Sequence, residues 1–76
     1  SEHSKADVVL VNIERNTILE IFPDLHTILK KEGVMVLSGL LEKDKSSILS
    51  VLEDKYDVVN IPQENEWIAI QALKKG

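Results

Sequence analysis

Seventy-six residues with a formal charge of −4, 43% hydrophobic and 29% charged side chains make one ordinary globular domain at most. At this size only about 60% of the unfolded surface is buried on folding, so stability is marginal without help. With no cysteine, disulfide frameworks, cysteine–zinc sites and thiol catalysis are excluded, and no apolar run approaches the roughly 20 residues that span a bilayer. No secretory signal pattern opens the chain. The acidic balance, with a pI near 5.0, argues against a duplex-binding module, so neither nucleic acid nor membrane is expected as a partner. The chain opens on Ser1 rather than Met, and the expectation is a piece of a longer protein at least as readily as an intact product.

Residues 1–6 are polar and are expected to be loose until Ala6. Asp7-Val8-Val9-Leu10-Val11-Asn12 follows as a short β-branched apolar run, the pattern of a strand buried on both faces in a parallel sheet. From about Arg15 to Lys31, apolar residues at Ile18, Leu19, Ile21, Phe22, Leu25, Ile28 and Leu29 recur with a period of 3.6 and predict a helix. Asn12 or Asn16 is placed to cap its start, and Pro23 inside it predicts a kink or short break. Lys30-Lys31-Glu32-Gly33 reads as its stop: cations at the negative end, then a glycine able to take φ > 0.

A second strand is predicted over 34–38 and ends at Ser38-Gly39. Strand, helix, strand in this order implies a right-handed crossover between parallel strands. A second helix is expected from about Lys43 to Asp54, with Ile48, Val51, Leu52 and Tyr56 toward the core and Asp44 or Ser46 as cap. Residues 56–61 form an edge strand stopped by Pro62, Gln63-Glu64-Asn65 is turn chemistry, and 67–73, apolar on both faces, is a strand inside the sheet. These last two make an antiparallel hairpin. The fold class is therefore α/β, β-α-β-α-β-β, a single domain over 1–76 with sheet order one-two-four-three.

Ligands of such sheets sit beyond the carboxyl ends of the parallel strands, which directs attention to Asn12, Ser38 and Gly39. Asn12 is equally suited to end a strand or cap a helix, and Gly39 to make a tight turn. His3 and His26 have no partner at metal-ligand spacing and read as surface histidines; no metal site is assigned. Glu14, Glu42 and Asp44 follow strand ends and could share a cleft, but solvated roles suit them better, and no catalytic residue is assigned. Trp67 reads as an aromatic plug of the core. Neither a dinucleotide-binding nor a P-loop glycine pattern occurs.

Taken together, Asp7-Val8-Val9-Leu10-Val11-Asn12-Ile13, Leu25-(x)3-Leu29-Lys30-(x)2-Gly33, Val36-Leu37-Ser38-Gly39-Leu40-Leu41-Glu42 and Glu66-Trp67-Ile68-Ala69 resemble the carboxyl-terminal part of a class I S-adenosylmethionine-dependent methyltransferase. The nearest pattern is that of the ribosomal protein L-eleven methyltransferases. The resemblance implies a partial Rossmann-like sheet holding the fourth to seventh strands of seven. It implies that Asn12 lies against the methyl donor, that a ribosomal protein is the substrate, and that the location is cytoplasmic. It covers nearly all of this chain but only the last third or quarter of such an enzyme. The glycine-rich donor-binding turn and the acid that holds the ribose are missing, so the donor is expected in the full-length parent and not on this piece alone. The missing amino-terminal half is then the expected partner.

Two other readings stay open. One is a degenerate receiver domain, in which Asn12 replaces the phospho-acceptor and the terminal hairpin replaces a helix. The other is a stand-alone interaction module that forms a homo-oligomer through an exposed strand at residues 7–11.

Overall fold

In the computed structural model, which describes residues 5–76, β1 (Ala6–Asn12) leads through α1 (Arg15–Ile28) to the long β2 (Leu29–Leu41). A 3₁₀ turn (Glu42–Asp44) and α2 (Lys45–Leu52) follow, then β3 (Tyr56–Asn60), the two-residue β4 (Gln63–Glu64) and β5 (Trp67–Lys74). The sheet order is β1-β2-β5-β3, with β4 paired to β5. β1 runs parallel to β2, from Val8 opposite Val34 to Asn12 opposite Ser38. β5 is antiparallel to both β2 and β3. The predicted parallel pairing of the first two strands, the interior position of the last strand and the edge position of residues 56–60 are all present.

The core lies on one side of the sheet only. Met35 and Leu37 of β2, with Ile68, Ile70 and Ala72 of β5, meet Ile18 of α1 and Ile48 and Leu52 of α2 in a single buried cluster. Val9 and Val11 of β1 pack at its border. The alternate residues face the other way, and among the described residues no layer covers them: Val8 is 52% exposed and Leu10 74%. The expectation of strands buried on both faces is corrected accordingly. Apolar side chains do stand on both faces, but within this chain two short helices cover just one.

The ends of α1 differ from expectation. Neither Asn12 nor Asn16 caps its start; Glu14 holds the cap position without a side-chain hydrogen bond. The helix continues through Pro23, which is exposed, where the loss of one backbone hydrogen bond costs least. It stops at Ile28, three residues early, because Leu29 is already extended and fully buried in the core. The cation on its carbonyl end comes from β5: the Lys74 ammonium donates to the carbonyl oxygens of His26 (2.6 Å) and Leu29 (2.7 Å). The left-handed residue after the helix is Glu32 (φ 65°), not Gly33. Gly33 is required for space instead: a Cβ there would lie 2.9 Å from the Asp7 carbonyl oxygen on β1 and 2.6 Å from Leu29 Cδ1.

α2 is shorter than predicted at both ends, since the 3₁₀ turn takes its first residues. Asp44 precedes α2, but its carboxylate accepts from the Leu41 N–H (3.0 Å) rather than capping the helix. Val51 is 40% exposed and Leu49 packs against the core in its place, a shift of the buried stripe by part of a turn. The predicted turn at 63–65 begins two residues late: Gln63 and Glu64 pair with Ile68 and Trp67, and Asn65 takes the left-handed conformation (φ 57°).

Candidate functional site

The parallel register sets the carboxyl ends of β1 and β2 at one rim, so Asn12 and Ser38 are direct neighbours there. The Ser38 hydroxyl donates to the Val11 carbonyl oxygen (3.3 Å), tying the two strand ends together. β2 then bends: its pairing with β5 is irregular between Leu37 and Leu40, and Gly39 takes φ 76°. The bend opens a space that the Asn12 side chain enters, because a Cβ on Gly39 would lie only 2.5 Å from Asn12 Oδ1. Asn12 is exposed, and among the described residues no hydrogen bond occupies its amide. A neutral group offering both a donor and an acceptor thus stands at the rim.

Beside it lies a shallow cleft of about 300 Å³ between Ser38-Gly39 and the β4–β5 hairpin. Trp67 lines this cleft and is 51% exposed, which corrects the reading of a core plug. Its pairing with Leu41 puts it on the uncovered face of the sheet, opposite the packed helices. A second depression, about 210 Å³, is lined by Glu14, Arg15, Lys43 and Asp44 among others. Glu14 and Asp44 do share it; Glu42 does not line it. Asp44 is buried, with Arg15 Nη1 3.7 Å from its carboxylate and the Leu41 N–H bound to it, and so serves to hold the rim together. No group of three or more metal-binding side chains occurs among the described residues.

His26 is not the surface histidine expected. Its Nδ1 is 2.8 Å from the Tyr56 hydroxyl, and its ring contacts those of Phe22 and Tyr56. Desolvation, then the ammonium groups of Lys74, Lys55 and Lys5, lower its pKa below the ordinary 6.5; burial raises that of Tyr56. The pair lies at the opposite rim from Asn12. His3 falls outside the described residues. Sequence reasoning missed the exposure of Trp67 and the Asn12–Gly39 contact; a glycine directly after Ser38 at the strand end was the available signal for the second.

The family model described as ribosomal protein L11 methyltransferase (PrmA) matches residues 1–75. Ribosomal protein L11 methyltransferase from Thermoanaerobacter pseudethanolicus is 34% identical over 71 residues, covering 93% of this chain and 23% of that protein. The protein of the same name from Teredinibacter turnerae is 35% identical over 70 residues, covering 92% and 23%. The crystal structure of ribosomal protein L11 methylase from Lactobacillus delbrueckii subsp. bulgaricus superposes with a TM-score of 0.86 over 95% of this chain and 38% of that one. At 23% identity that likeness speaks for the fold. The chain spans about a quarter of the length of the curated relatives it matches. With β5 antiparallel inside the sheet and a family match along almost its whole length, the receiver reading falls away, and the chain belongs to the ribosomal protein L11 methyltransferase family.

Proposed function

We propose that this chain is the carboxyl-terminal part of an S-adenosylmethionine-dependent protein methyltransferase, in which Asn12 at the β1–β2 rim contacts the methyl donor. The observation that carries this reading is the exposed amide of Asn12 beside Ser38, at the strand ends where such folds bind ligands. The residues fit the role. An amide both donates and accepts, and so suits the mixed polar groups of an amino acid attached to a nucleoside. Gly39, lacking a Cβ, leaves that amide room. S-adenosylmethionine supplies a methyl group activated on a sulfonium; the chain's contribution is to orient it.

The substrate in this reading is an amino group of a ribosomal protein, which places the enzyme in the cytoplasm. Among the described residues no helix is long and apolar enough to cross a membrane. The remainder of the parent protein is the natural cover for the bare sheet face and the open edge of β1, where Val8 and Leu10 are exposed. The piece alone is not active, since no glycine-rich donor-binding turn is present in it.

The test is Asn12→Ala in a full-length parent. Loss of one ligand hydrogen bond of about 1.5–3 kcal/mol lowers methyl transfer roughly ten- to hundredfold, with little change in melting temperature. An unchanged rate would make Asn12 a strand terminator only. Micromolar binding of S-adenosylmethionine to the 76-residue chain by calorimetry would refute the incompleteness of the site.

A further inference from the structure

Among the described residues, a cavity larger than the cleft at the Asn12 rim lies elsewhere. A groove of about 550 Å³ opens at the other end of the sheet, where β1, β2 and β3 begin and β5 ends. It is lined by Lys5, Lys31, Lys55, Lys74 and Lys75, with His26. Five of the chain's nine lysine and arginine residues thus converge on one feature of a protein whose net charge is −4. They come from sequence positions up to 70 apart, so the fold assembles the cluster.

The acids nearby do not cancel it. Asp54 lines the groove, Asp57 lies 3.9 Å from Lys75, and Glu32 approaches Gly76 at its border. Among the described residues the cations still lead, by five to four once the terminal carboxylate of Gly76, which also lines the groove, is counted. Lys74 is fixed in place by the carbonyl end of α1 and contributes its field from there. Among the described residues neither Lys31 nor Lys55 forms an ion pair.

We propose that this groove is an oxyanion site that takes phosphate groups, held mainly by Lys31, Lys55 and Lys75. The residue chemistry suits phosphate: the groove holds no arginine, and lysine ammoniums bind phosphate as point charges. It offers instead several separate ammonium point charges on flexible stems, which suit an ion of multiple charge and many acceptor oxygens. After desolvation, the ammonium groups of Lys74, Lys55 and Lys5 act in the same direction on the neighbouring His26, lowering its pKa. Seven residues of β2 separate Lys31 from Ser38, or roughly 23 Å of extended chain. The site is therefore independent of the methyl-donor reading. Two sources share this chemistry, a small free phosphate and the backbone of single-stranded RNA, and the acidic net charge of the chain disfavours neither when the cations are this localised.

The experiment is a backbone-amide NMR titration of the 76-residue chain at low salt, with inorganic pyrophosphate in one arm and a short single-stranded oligouridylate in the other. Saturable shifts centred on Lys31, Lys55 and Lys75 are expected. K31E/K55E lowers affinity about tenfold or more, while K43E/K45E, the same charge change at the far rim, leaves it within about twofold. Oligouridylate binding much tighter than pyrophosphate, with a log–log salt slope of roughly −2 for three contacts, assigns the phosphates to RNA. Comparable affinities assign them to a small ligand. Absence of saturable shifts in both arms overturns the proposal, as does equal loss in the two double variants.

Discussion

Replacing Gly39 by alanine probes backbone and site at once. The residue sits at φ 76°, where an L side chain costs about 1–2 kcal/mol. The new Cβ would fall 2.5 Å from Asn12 Oδ1, but its next neighbours, the Ile13 backbone nitrogen and oxygen, are at an ordinary 3.5 Å. Only the flexible end of an exposed side chain must move, so crowding adds little to the strain. The stability loss is then about 1–2 kcal/mol, a melting-temperature drop of roughly 4–16 °C for a domain this small. Thermal and urea denaturation followed by circular dichroism measure it, with the urea m-value unchanged. In a full-length parent the same substitution displaces the Asn12 amide and so reproduces most of the Asn12→Ala loss in methyl transfer. A variant with unaltered melting temperature and unaltered rate would refute both the conformational requirement at Gly39 and the placement of Asn12.

Gly33→Ala presses on a β1 backbone carbonyl that cannot swing aside, so it costs about 1–3 kcal/mol by overpacking; urea midpoints equal to the parent chain's would contradict the close approach. The depressed pKa of His26 makes stability pH-dependent with a definite sign. As pH falls below 6.5 the unfolded chain binds the proton before the folded one, so stability is full above 6.5 and declines as pH drops toward the folded-state value. Urea midpoints at pH 7.5 and 5.5 should show that decline, and His26→Gln should flatten it; an identical slope in the variant would assign the effect elsewhere. The bare β1 edge, with Leu10 74% exposed, predicts self-association of the 76-residue chain. Leu10→Lys should return it to monomer in sedimentation at high concentration, and a monomeric unmodified chain would count against the open edge.

What was legible in the sequence were the features that neighbours along the chain determine. The β-branched runs at 7–12 and 34–38 announce parallel strands, and their polar ends announce the rim with Asn12 and Ser38. The apolar residues at 68, 70 and 72, with others alternating between them, announce an interior strand. The misreadings arise where a distant residue decides. α1 ends at Ile28 because Leu29 is claimed by the core and because Lys74, 48 residues beyond His26, binds the helix end. Gly33 is dictated by Asp7 on another strand rather than by its own torsion angle. Trp67 and Leu10 carry apolar side chains with no cover from the described residues, and nothing local distinguishes them from core. The lysine groove was invisible for the same reason: its members are scattered, and total charge averages them with distant acids.

The interleaving of β5 between β2 and β3 has a consequence for how the molecule is made. A nascent chain emerged as far as residue 66 holds both flanking ribbons without the wedge that joins them, and lacks Ile68, Ile70 and Ala72 at the centre of its oily interior. Translation delivers the keystone after the stones on either side. Residues 67–74 close the seam and bring the Lys74 clasp to the first helix, so the earlier product must wait, half-assembled, for a single short stretch to arrive.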